Sequence, residues 1–158
     1  QQYSAVLPSL PKEKLKVRKL LKGHIAKISS MAWNEDAVHL VSVIAILIKS
    51  HLEGSQDGNL IVWDGMSTNK IHVLPLKCAW VMTTAYSGDL VACGGSYMLR
   101  TMPHFSGLDN ICTIYNTRTS DFKVKPSVEL LGHTGFVSCC KFVDETKVLT
   151  GSGDNDCI

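Results

Sequence analysis

The sequence contains no hydrophobic run long enough to cross a membrane. Its longest apolar stretch, Val41–Ile48, has eight residues, whereas a membrane helix needs about 20. The first residues, QQYSAVLPSLPKEK, lack the charged and apolar regions of a secretory leader. We therefore expect a cytoplasmic protein whose six cysteines are reduced.

Motifs for catalysis and for metal or nucleotide binding are also missing. There is no P-loop, HExxH or GxSxG sequence, which argues against a nucleotide hydrolase, a zinc protease or a serine hydrolase. No two cysteines stand in a CxxC pair, and His24 has no second ligand at zinc spacing. The sequence predicts a non-enzymatic protein without catalytic residues, cofactor or metal, whose cysteines are small buried hydrophobic residues.

An excess of one charge is missing as well. The formal net charge of +2 is too small to indicate a nucleic-acid or membrane partner by itself. The segment Lys12–Lys22 is locally basic, with six basic residues against one acidic residue. Two interpretations of it stay open: a phosphate-binding segment, or, as we favour, an outer strand LKVRKLLK with one solvated face. We expect no nucleic-acid partner, and contact with membranes only through other proteins.

The sequence does contain many short β-rich runs bounded by Gly, Asp, Asn and Ser, while helical periodicity is scarce. These runs are KISSMAW, NLIVWD, HVLPL, WVMTTAY, LVACGG, ICTIYN, FVSCCKF and KVLTGSG. Short strands at such regular spacing predict an all-β protein.

Internal repetition indicates which all-β fold this is. The sequence LKGH at Leu21–His24 returns as LGH at Leu131–His133, SQDG returns as SGDN, and NLIVWD returns in degenerate form as ICTIYN. A Gly-His opening and a Trp-Asp close, repeated every ~40–45 residues, is typical of WD repeats, and the chain resembles that family. The resemblance implies that residues 18–158 form a β-propeller fragment. This fragment would contain about two and a half to three antiparallel blades, each of four strands. Residues 1–17 would form an N-terminal tail that is basic at its end.

The same resemblance implies a structural role for one set of polar residues. In WD-repeat proteins the His, Ser, Asp and Trp of a blade hydrogen-bond to one another, and such a network stabilises a fold when every member is satisfied. The matching positions are His24, Ser55, Asp57 and Trp63, and in a later blade His133, Ser152 and Asp154.

The repeat spacing is irregular in two places. From His133 to Asp154 is 21 residues and from His24 to Asp57 is 33, an excess of 12 that falls near residues 43–54. A second misfit covers residues 96–107, and removing both segments restores the repeat period. The two extra segments could be lineage-specific loops or introns that were not removed before translation, and we favour the introns. In either case we expect both segments to lie outside regular strands. The chain stops where a third Trp-Asp strand would start, so we expect that it cannot close a ring of 4–8 blades alone.

The residues between the repeat marks resemble the first blades of the β subunit of heterotrimeric G proteins. The runs that carry this resemblance are LKGHIAKISSMAW, SQDGNLIVWD, TNKIHVLPL, WVMTTAY, VACGG, LDNICTIYN and ELLGHTGFVSCCKF. Apart from the two extra segments, the likeness extends from about Arg18 to Cys157. The run WVMT is especially informative, because the generic repeat does not require it.

In that family the propeller binds the switch region of a GDP-loaded Gα subunit, and GTP remodels that region, so binding is gated by nucleotide. A Gγ subunit is the second implied partner, which contacts mainly regions outside this chain; the effectors are unknown. We expect the complex at the inner face of the plasma membrane. The implied Gα contacts are Lys27, Ile61, Lys70, Trp80, Met82, Leu108, Asn110 and Phe136, with Trp80 as the central anchor because hot spots are enriched in tryptophan.

Two alternatives to this function stay open. The chain could be a different WD-repeat scaffold for protein interactions, or a truncated or mis-spliced product without activity. The second extra segment directly precedes Leu108, where it could displace that side chain from Trp80. We therefore expect the chain as it stands to bind Gα weakly or not at all.

Overall fold

A computed structural model describes residues 16–44, 58–76, 80–96, 110–118 and 126–158. Within those ranges the chain forms ten strands and no helix, and therefore no helix that could span a membrane. The strands are β1 (Ile28–Trp33), β2 (His39–Ile44), β3 (Gly58–Asp64), β4 (Lys70–Leu76), β5 (Trp80–Ser87), β6 (Leu90–Ser96), β7 (Cys112–Asn116), β8 (Pro126–Leu130), β9 (Val137–Asp144) and β10 (Lys147–Ser152).

The strands form three antiparallel sheets in which each strand pairs with the next one along the chain. Sheet 1 has the order β1-β2-β3-β4, sheet 2 has the order β5-β6-β7-β8, and sheet 3 contains β9 and β10. A bridge between Gly151 and Cys157 begins a further pairing in sheet 3. The predicted all-β fold of four-stranded antiparallel blades is therefore confirmed, with two complete blades and the first part of a third.

The first strands of the three sheets stack side by side and run in the same direction. The Ser30 hydroxyl lies 3.0 Å from that of Thr84, and the Asn34 amide donates to the carbonyl of Gly88 at 3.2 Å, both pairs being 54 residues apart. This constant offset requires β1 and β5 to run parallel. Along β9, Val137 lies against Gly94, the partner of Thr83, and Cys140 lies against Ala92, the partner of Ala85, so β9 also runs parallel to β5.

The hydrophobic core lies between neighbouring sheets. The largest cluster joins aliphatic side chains of sheet 1 to side chains of sheet 2; its members are Val41, Val43, Leu60, Val62, Leu74, Leu76, Val81, Val91, Cys93 and Tyr115. Burying one such aliphatic side chain stabilises a fold by about 1.5–3 kcal/mol. A smaller cluster around Ala92 and Cys112 joins sheet 2 to sheet 3. Each blade therefore depends on its neighbour for its core.

The eight β-rich runs named from the sequence all fall on strands, and two further strands were missed. One is β2, HLVSVI, which was read as part of an apolar stretch and of the first extra segment. Val43 and Ile44, assigned to that segment, are the last two residues of β2, and Ser96 of the second segment ends β6. Residues 45–54 and 97–107 of the two segments lie outside the described residues.

The other missed strand is β8, PSVEL, which begins with a proline and leaves four of its five residues exposed. The expected outer strand LKVRKLLK is wrong for residues 16–22, which form no ladder with a described strand. There the Lys19 ammonium instead donates to the carbonyls of Gly65 and Met66 in the turn after β3. The expectation that the cysteines are buried is wrong for Cys139 and Cys157, which are exposed.

Candidate functional site

A buried polar network crosses sheet 1 from β3 to the loop before β1. The indole N–H of Trp63 donates to the Ser42 hydroxyl at 2.7 Å, and the same hydroxyl lies 2.6 Å from Nε2 of His24. Because an indole nitrogen only donates, the Ser42 oxygen accepts from Trp63 and its proton is available to His24. The His24 and Trp63 rings also meet edge to face, with centroids 5.9 Å apart.

Sheet 3 contains a second network built on the same plan. Nε2 of His133 lies 2.8 Å from the Thr150 hydroxyl, and its Nδ1 lies 3.0 Å from the Asp154 carboxylate. The same carboxylate oxygen accepts the backbone amides of Thr134 at 2.8 Å and Gly135 at 3.3 Å. Asp154 therefore fixes the loop that leads into β9.

The two networks correct part of the residue assignment made from the sequence. His24, Trp63, His133 and Asp154 make hydrogen bonds in these networks, and the hydroxyl partners of the two histidines are Ser42 and Thr150. Ser152, named for that role, instead accepts the amide of Asp154 at 3.2 Å in a local turn. Ser55 and Asp57 lie outside the described residues.

Burial and hydrogen bonding shift the pKa values of both networks. Burial, with a smaller effect of the nearby Lys70 charge, lowers the pKa of His24 and favours its neutral form. Burial alone would raise the pKa of Asp154, but hydrogen bonds from the amides of Asp156 and Thr134, the His133 ring and the Gly135 amide hold it well below its usual range. Both shifts favour the protonation states that the networks need.

These networks order the loops that carry two of the predicted partner contacts. Lys27 stands three residues after His24, and Phe136 stands three residues after His133, so the two occupy equivalent positions of the repeat. Phe136 is 43 % exposed and its ring packs over the backbone of Gly153. Its carbonyl accepts the amide of Gly153 at 2.9 Å. The side chain is thus held open to solvent by a fixed turn.

Trp80 and Met82 are presented at the start of β5, between Lys27 and Phe136. Both side chains are 39 % exposed, while Val81 between them is buried. The pairing of β5 with β6 skips Met82, which is the extra residue of a β-bulge, a device that redirects a side chain. Gly95 permits this close pairing, since a Cβ there would lie 2.0 Å from the carbonyl oxygen of Trp80. We call the amino-terminal ends of β1, β5 and β9, with Lys27, Trp80, Met82 and Phe136, the Trp80 end.

The other four predicted Gα contacts do not lie exposed at the Trp80 end. Asn110 lies just before β7, level with Trp80 through the β5–β6–β7 register, but it is only 7 % exposed. Ile61 is buried in the middle of β3 at 2 % exposure, beside Trp63 and Leu40. Lys70 is the first residue of β4, and the strand register places it level with Trp63 and Trp33. This is the end of sheet 1 opposite to Lys27. The Lys70 ammonium lies 5.8 Å from the centroid of the Trp63 ring. Leu108 lies outside the described residues.

The described residues hold no group of three or more His, Cys, Asp or Glu side chains placed to bind a metal ion. His24 and His133 instead contact hydroxyl groups, and Asp154 is engaged with the His133 ring and with backbone amides. What this arrangement can do is to hold loops rigid and to present apolar side chains.

Comparison with known proteins gives a consistent result. A family profile described as "WD domain, G-beta repeat" matches residues 15–64 and 124–158. A "Guanine nucleotide-binding protein subunit beta" of Dictyostelium discoideum is 49% identical over 160 aligned residues, 99% of this chain and 40% of the relative. The protein of the same name from Lymnaea stagnalis is 47% identical over 90% of this chain and 36% of its own length.

A third relative is the "Guanine nucleotide-binding protein G(I)/G(S)/G(T) subunit beta-1" of Homarus americanus. It is 44% identical over 99% of this chain and 40% of its own length. The chain therefore spans about two fifths of the length of the curated relatives it matches.

Proposed function

This chain belongs to the WD-repeat family, and we propose that it is a G-protein β-like scaffold whose Trp80 end binds the GDP-loaded Gα subunit. The observation that carries the proposal is the exposure of Trp80, Met82 and Phe136 at the start of neighbouring parallel strands. The relatives, each named as a β subunit of a guanine nucleotide-binding protein, support the choice of partner. A Gγ subunit is the second proposed partner.

The residue types at the Trp80 end suit a protein interface. Tryptophan is enriched among interface hot spots, and methionine adapts to irregular surfaces. Lys27 beside them adds a positive charge at the edge, which affects the rate of encounter more than the final affinity. Ile61 and Asn110, being buried, would support this surface from within, and Lys70 would meet a different part of the partner, along the side of sheet 1.

The mechanism needs no chemistry on this chain. The Asp154 carboxylate accepts hydrogen bonds from the amides of Thr134 and Gly135, which hold the Phe136 loop before the partner arrives, so little conformational entropy is lost on binding. Switching would come from Gα, whose GTP form presents a different surface to the same side chains.

Surface plasmon resonance with immobilised Gα·GDP tests the residue assignment. Trp80→Ala is expected to cost about 2 kcal/mol or more, roughly 30-fold in Kd. Trp33→Ala is the matched control, because Trp33 is 54 % exposed on a neighbouring strand but lies at its opposite end. Equal losses in the two variants, or none in Trp80→Ala with its circular dichroism spectrum unchanged, would reject this surface.

The comparison should be made both in this chain and in a variant lacking residues 97–107. We expect the deletion to tighten binding, because it removes the segment that directly precedes Leu108. If the deletion variant binds no better, the second extra segment does not obstruct the surface. Binding of neither form, with both folded, would favour a different partner.

A further inference from the structure

Sheets 1, 2 and 3 stack through the same hydrogen bond at two successive contacts. The Ser30 hydroxyl in β1 accepts the backbone amide of Thr84 in β5 at 3.1 Å. The Thr83 hydroxyl in β5 accepts the backbone amide of Cys140 in β9 at 3.1 Å. Sheet 3 therefore packs on sheet 2 in the way that sheet 2 packs on sheet 1.

The strand register shows which residues of sheet 3 correspond to the side of sheet 2 that sheet 3 covers. Thr83 pairs with Gly94, and Cys139 pairs with Gly151 in the same way. Thr83 directly precedes the residue whose amide is bound by sheet 1, and Cys139 directly precedes the residue whose amide is bound by sheet 2. Cys139 and Gly151 therefore lie on the side of sheet 3 that faces away from sheet 2.

We call this side, with Cys139, Leu149 and Gly151, the forward face of sheet 3. Cys139 is exposed and Leu149 is half exposed, whereas Ala92, which holds the position of Leu149 in sheet 2, is fully buried. A Cβ at Gly151 would meet the sulfurs of Cys139 and Cys157, both from sheet 3 itself. Within the part of the chain that the structure describes, the forward face is therefore open.

An open face also lies on the other side of the stack, on sheet 1. Ile28 and Met31 follow His24 by four and seven residues, as Val137 and Cys140 follow the corresponding histidine of sheet 3. Val137 is fully buried and Cys140 is half-buried where sheet 3 covers sheet 2. Ile28 and Met31, by contrast, are both more than half exposed. We call these two side chains the backward face of sheet 1.

We propose that two copies of this 158-residue chain associate head to tail, with the backward face of sheet 1 in one copy packed on the forward face of sheet 3 in the other. Ile28 then lies over Gly151, as Val137 lies over Gly94 within one chain, where a Cβ at Gly94 would be 2.5 Å from Cγ1 of Val137. Covering these apolar side chains removes them from water, which favours association. The proposal does not depend on Gα binding.

The second point of contact brings Met31 of one copy beside Cys139 of the other. The equivalent contact within one chain joins Cys140 to Thr83, and its sulfur and hydroxyl oxygen are 3.6 Å apart. Because the contact joins two different faces, each pair of chains keeps one face of each kind for another copy unless the assembly closes on itself.

One residue of the forward face departs from the equivalent positions. Lys141 stands where sheets 1 and 2 have Ala32 and Ala85. A lysine stem adds apolar surface to such a contact, while its length lets the ammonium reach solvent at the edge. The lysine is therefore compatible with the proposed packing.

A cysteine at position 31 tests the contact in the whole chain. Cys140 shows that a cysteine fits the equivalent position of sheet 3, so Met31→Cys should fold. Its sulfur lies beside that of Cys139 of another copy, at a separation that a disulfide closes. With oxidised glutathione, non-reducing electrophoresis should show joined chains at least about tenfold faster than for the control Met66→Cys. Met66 is similarly exposed but lies in the turn after β3, outside both faces.

Two further changes to the Met31→Cys variant identify the partner thiol. Adding Cys139→Ser should abolish the linkage, whereas adding Cys157→Ser should leave most of it. The proposal is overturned if Met31→Cys joins chains no faster than Met66→Cys, or if Cys139→Ser leaves the linkage unchanged.

Sedimentation equilibrium under reducing conditions tests the association without a crosslink. Met31→Asp places an unpaired carboxylate in the apolar contact, so it should raise the dissociation constant of the assembly at least about tenfold. Met66→Asp introduces the same charge outside both faces and should leave that constant unchanged. Equal dissociation constants for the two variants would also overturn the proposal.

Discussion

Replacing Ser42 by alanine isolates the contribution of the sheet 1 network to stability. The hydroxyl of Ser42 is hydrogen-bonded to both the Trp63 indole and Nε2 of His24. Trp63 is 1 % exposed and Ser42 is 5 % exposed, so water cannot replace the lost oxygen. A buried polar group left unsatisfied costs about 1–3 kcal/mol. Since alanine leaves almost no cavity, we expect Ser42→Ala to destabilise the chain by roughly 2–4 kcal/mol through the two groups together.

Urea unfolding at low protein concentration, followed by tryptophan fluorescence, measures this loss. With a urea dependence of about 2 kcal/mol per molar, the midpoint should fall by about 1–2 M. Ser29→Ala is the control, because the Ser29 hydroxyl is on the same sheet and donates only one bond, to the carbonyl of Val43 at 3.2 Å, from an exposed residue. It should cost less than about 0.5 kcal/mol.

A conservative substitution adds a second control. Ser42→Thr keeps the hydroxyl, as Thr150 does at the equivalent position of sheet 3, and should retain most of the stability. If Ser42→Ala unfolds at the same urea concentration as Ser29→Ala, the hydroxyl of Ser42 does not stabilise the blade through its two buried hydrogen bonds.

Three other properties follow from the same contacts. Burial lowers the pKa of His24 below 6.5, so the His24 ring binds a proton more readily in the unfolded chain than in the folded one. The urea midpoint should therefore decrease as the pH falls below about 6.5. His24→Asn should flatten this dependence of the midpoint on pH, and an unchanged dependence would assign it to another titrating group. A Cβ at position 95 would lie 2.0 Å from the Trp80 carbonyl oxygen, so Gly95→Ala should cost about 1–3 kcal/mol or more in urea unfolding, and a variant as stable as wild type would contradict the bulge geometry. The outer faces of sheets 1 and 3 carry large apolar side chains that are more than half exposed, namely Met31, Trp33 and Val143. The chain should therefore associate with itself as its concentration rises. Light scattering that shows a single monomeric species at all concentrations would contradict this expectation.

Most strands could be predicted because each is a short β-rich run ended by turn residues. Strand β2 was missed because its last five residues are all buried, which gives a continuous apolar run that does not alternate. The following AILI continues that run without a turn signal, so the sequence shows no boundary. Strand β8 was missed for the opposite reason, since an exposed strand that starts with proline shows no burial pattern.

The networks show a similar limit of sequence reasoning. The sequence shows a serine two residues before an aspartate twice, in SQD and in SGD. In the second of these, the Ser152 hydroxyl accepts a hydrogen bond within a local turn, a role that serine takes in turns of any fold. The hydroxyls that reach the histidines lie on the second strand of each sheet, 18 residues after the histidine for Ser42 and 17 residues after it for Thr150. That near-equal spacing was the available signal. The Trp80 end was recognisable only from the family resemblance, because exposure at a bulge is not visible in the residue types.

The affinity of this surface for the two nucleotide states of Gα tests the central claim most directly. Surface plasmon resonance should compare Gα·GDP with Gα bound to a GTP analogue, using the variant that lacks residues 97–107 and the same variant with Trp80→Ala. We predict at least about tenfold tighter binding of the GDP form, within the usual range of such couplings, and loss of most of that difference in Trp80→Ala. Equal affinity for both nucleotide states in the folded variant would contradict the proposed function.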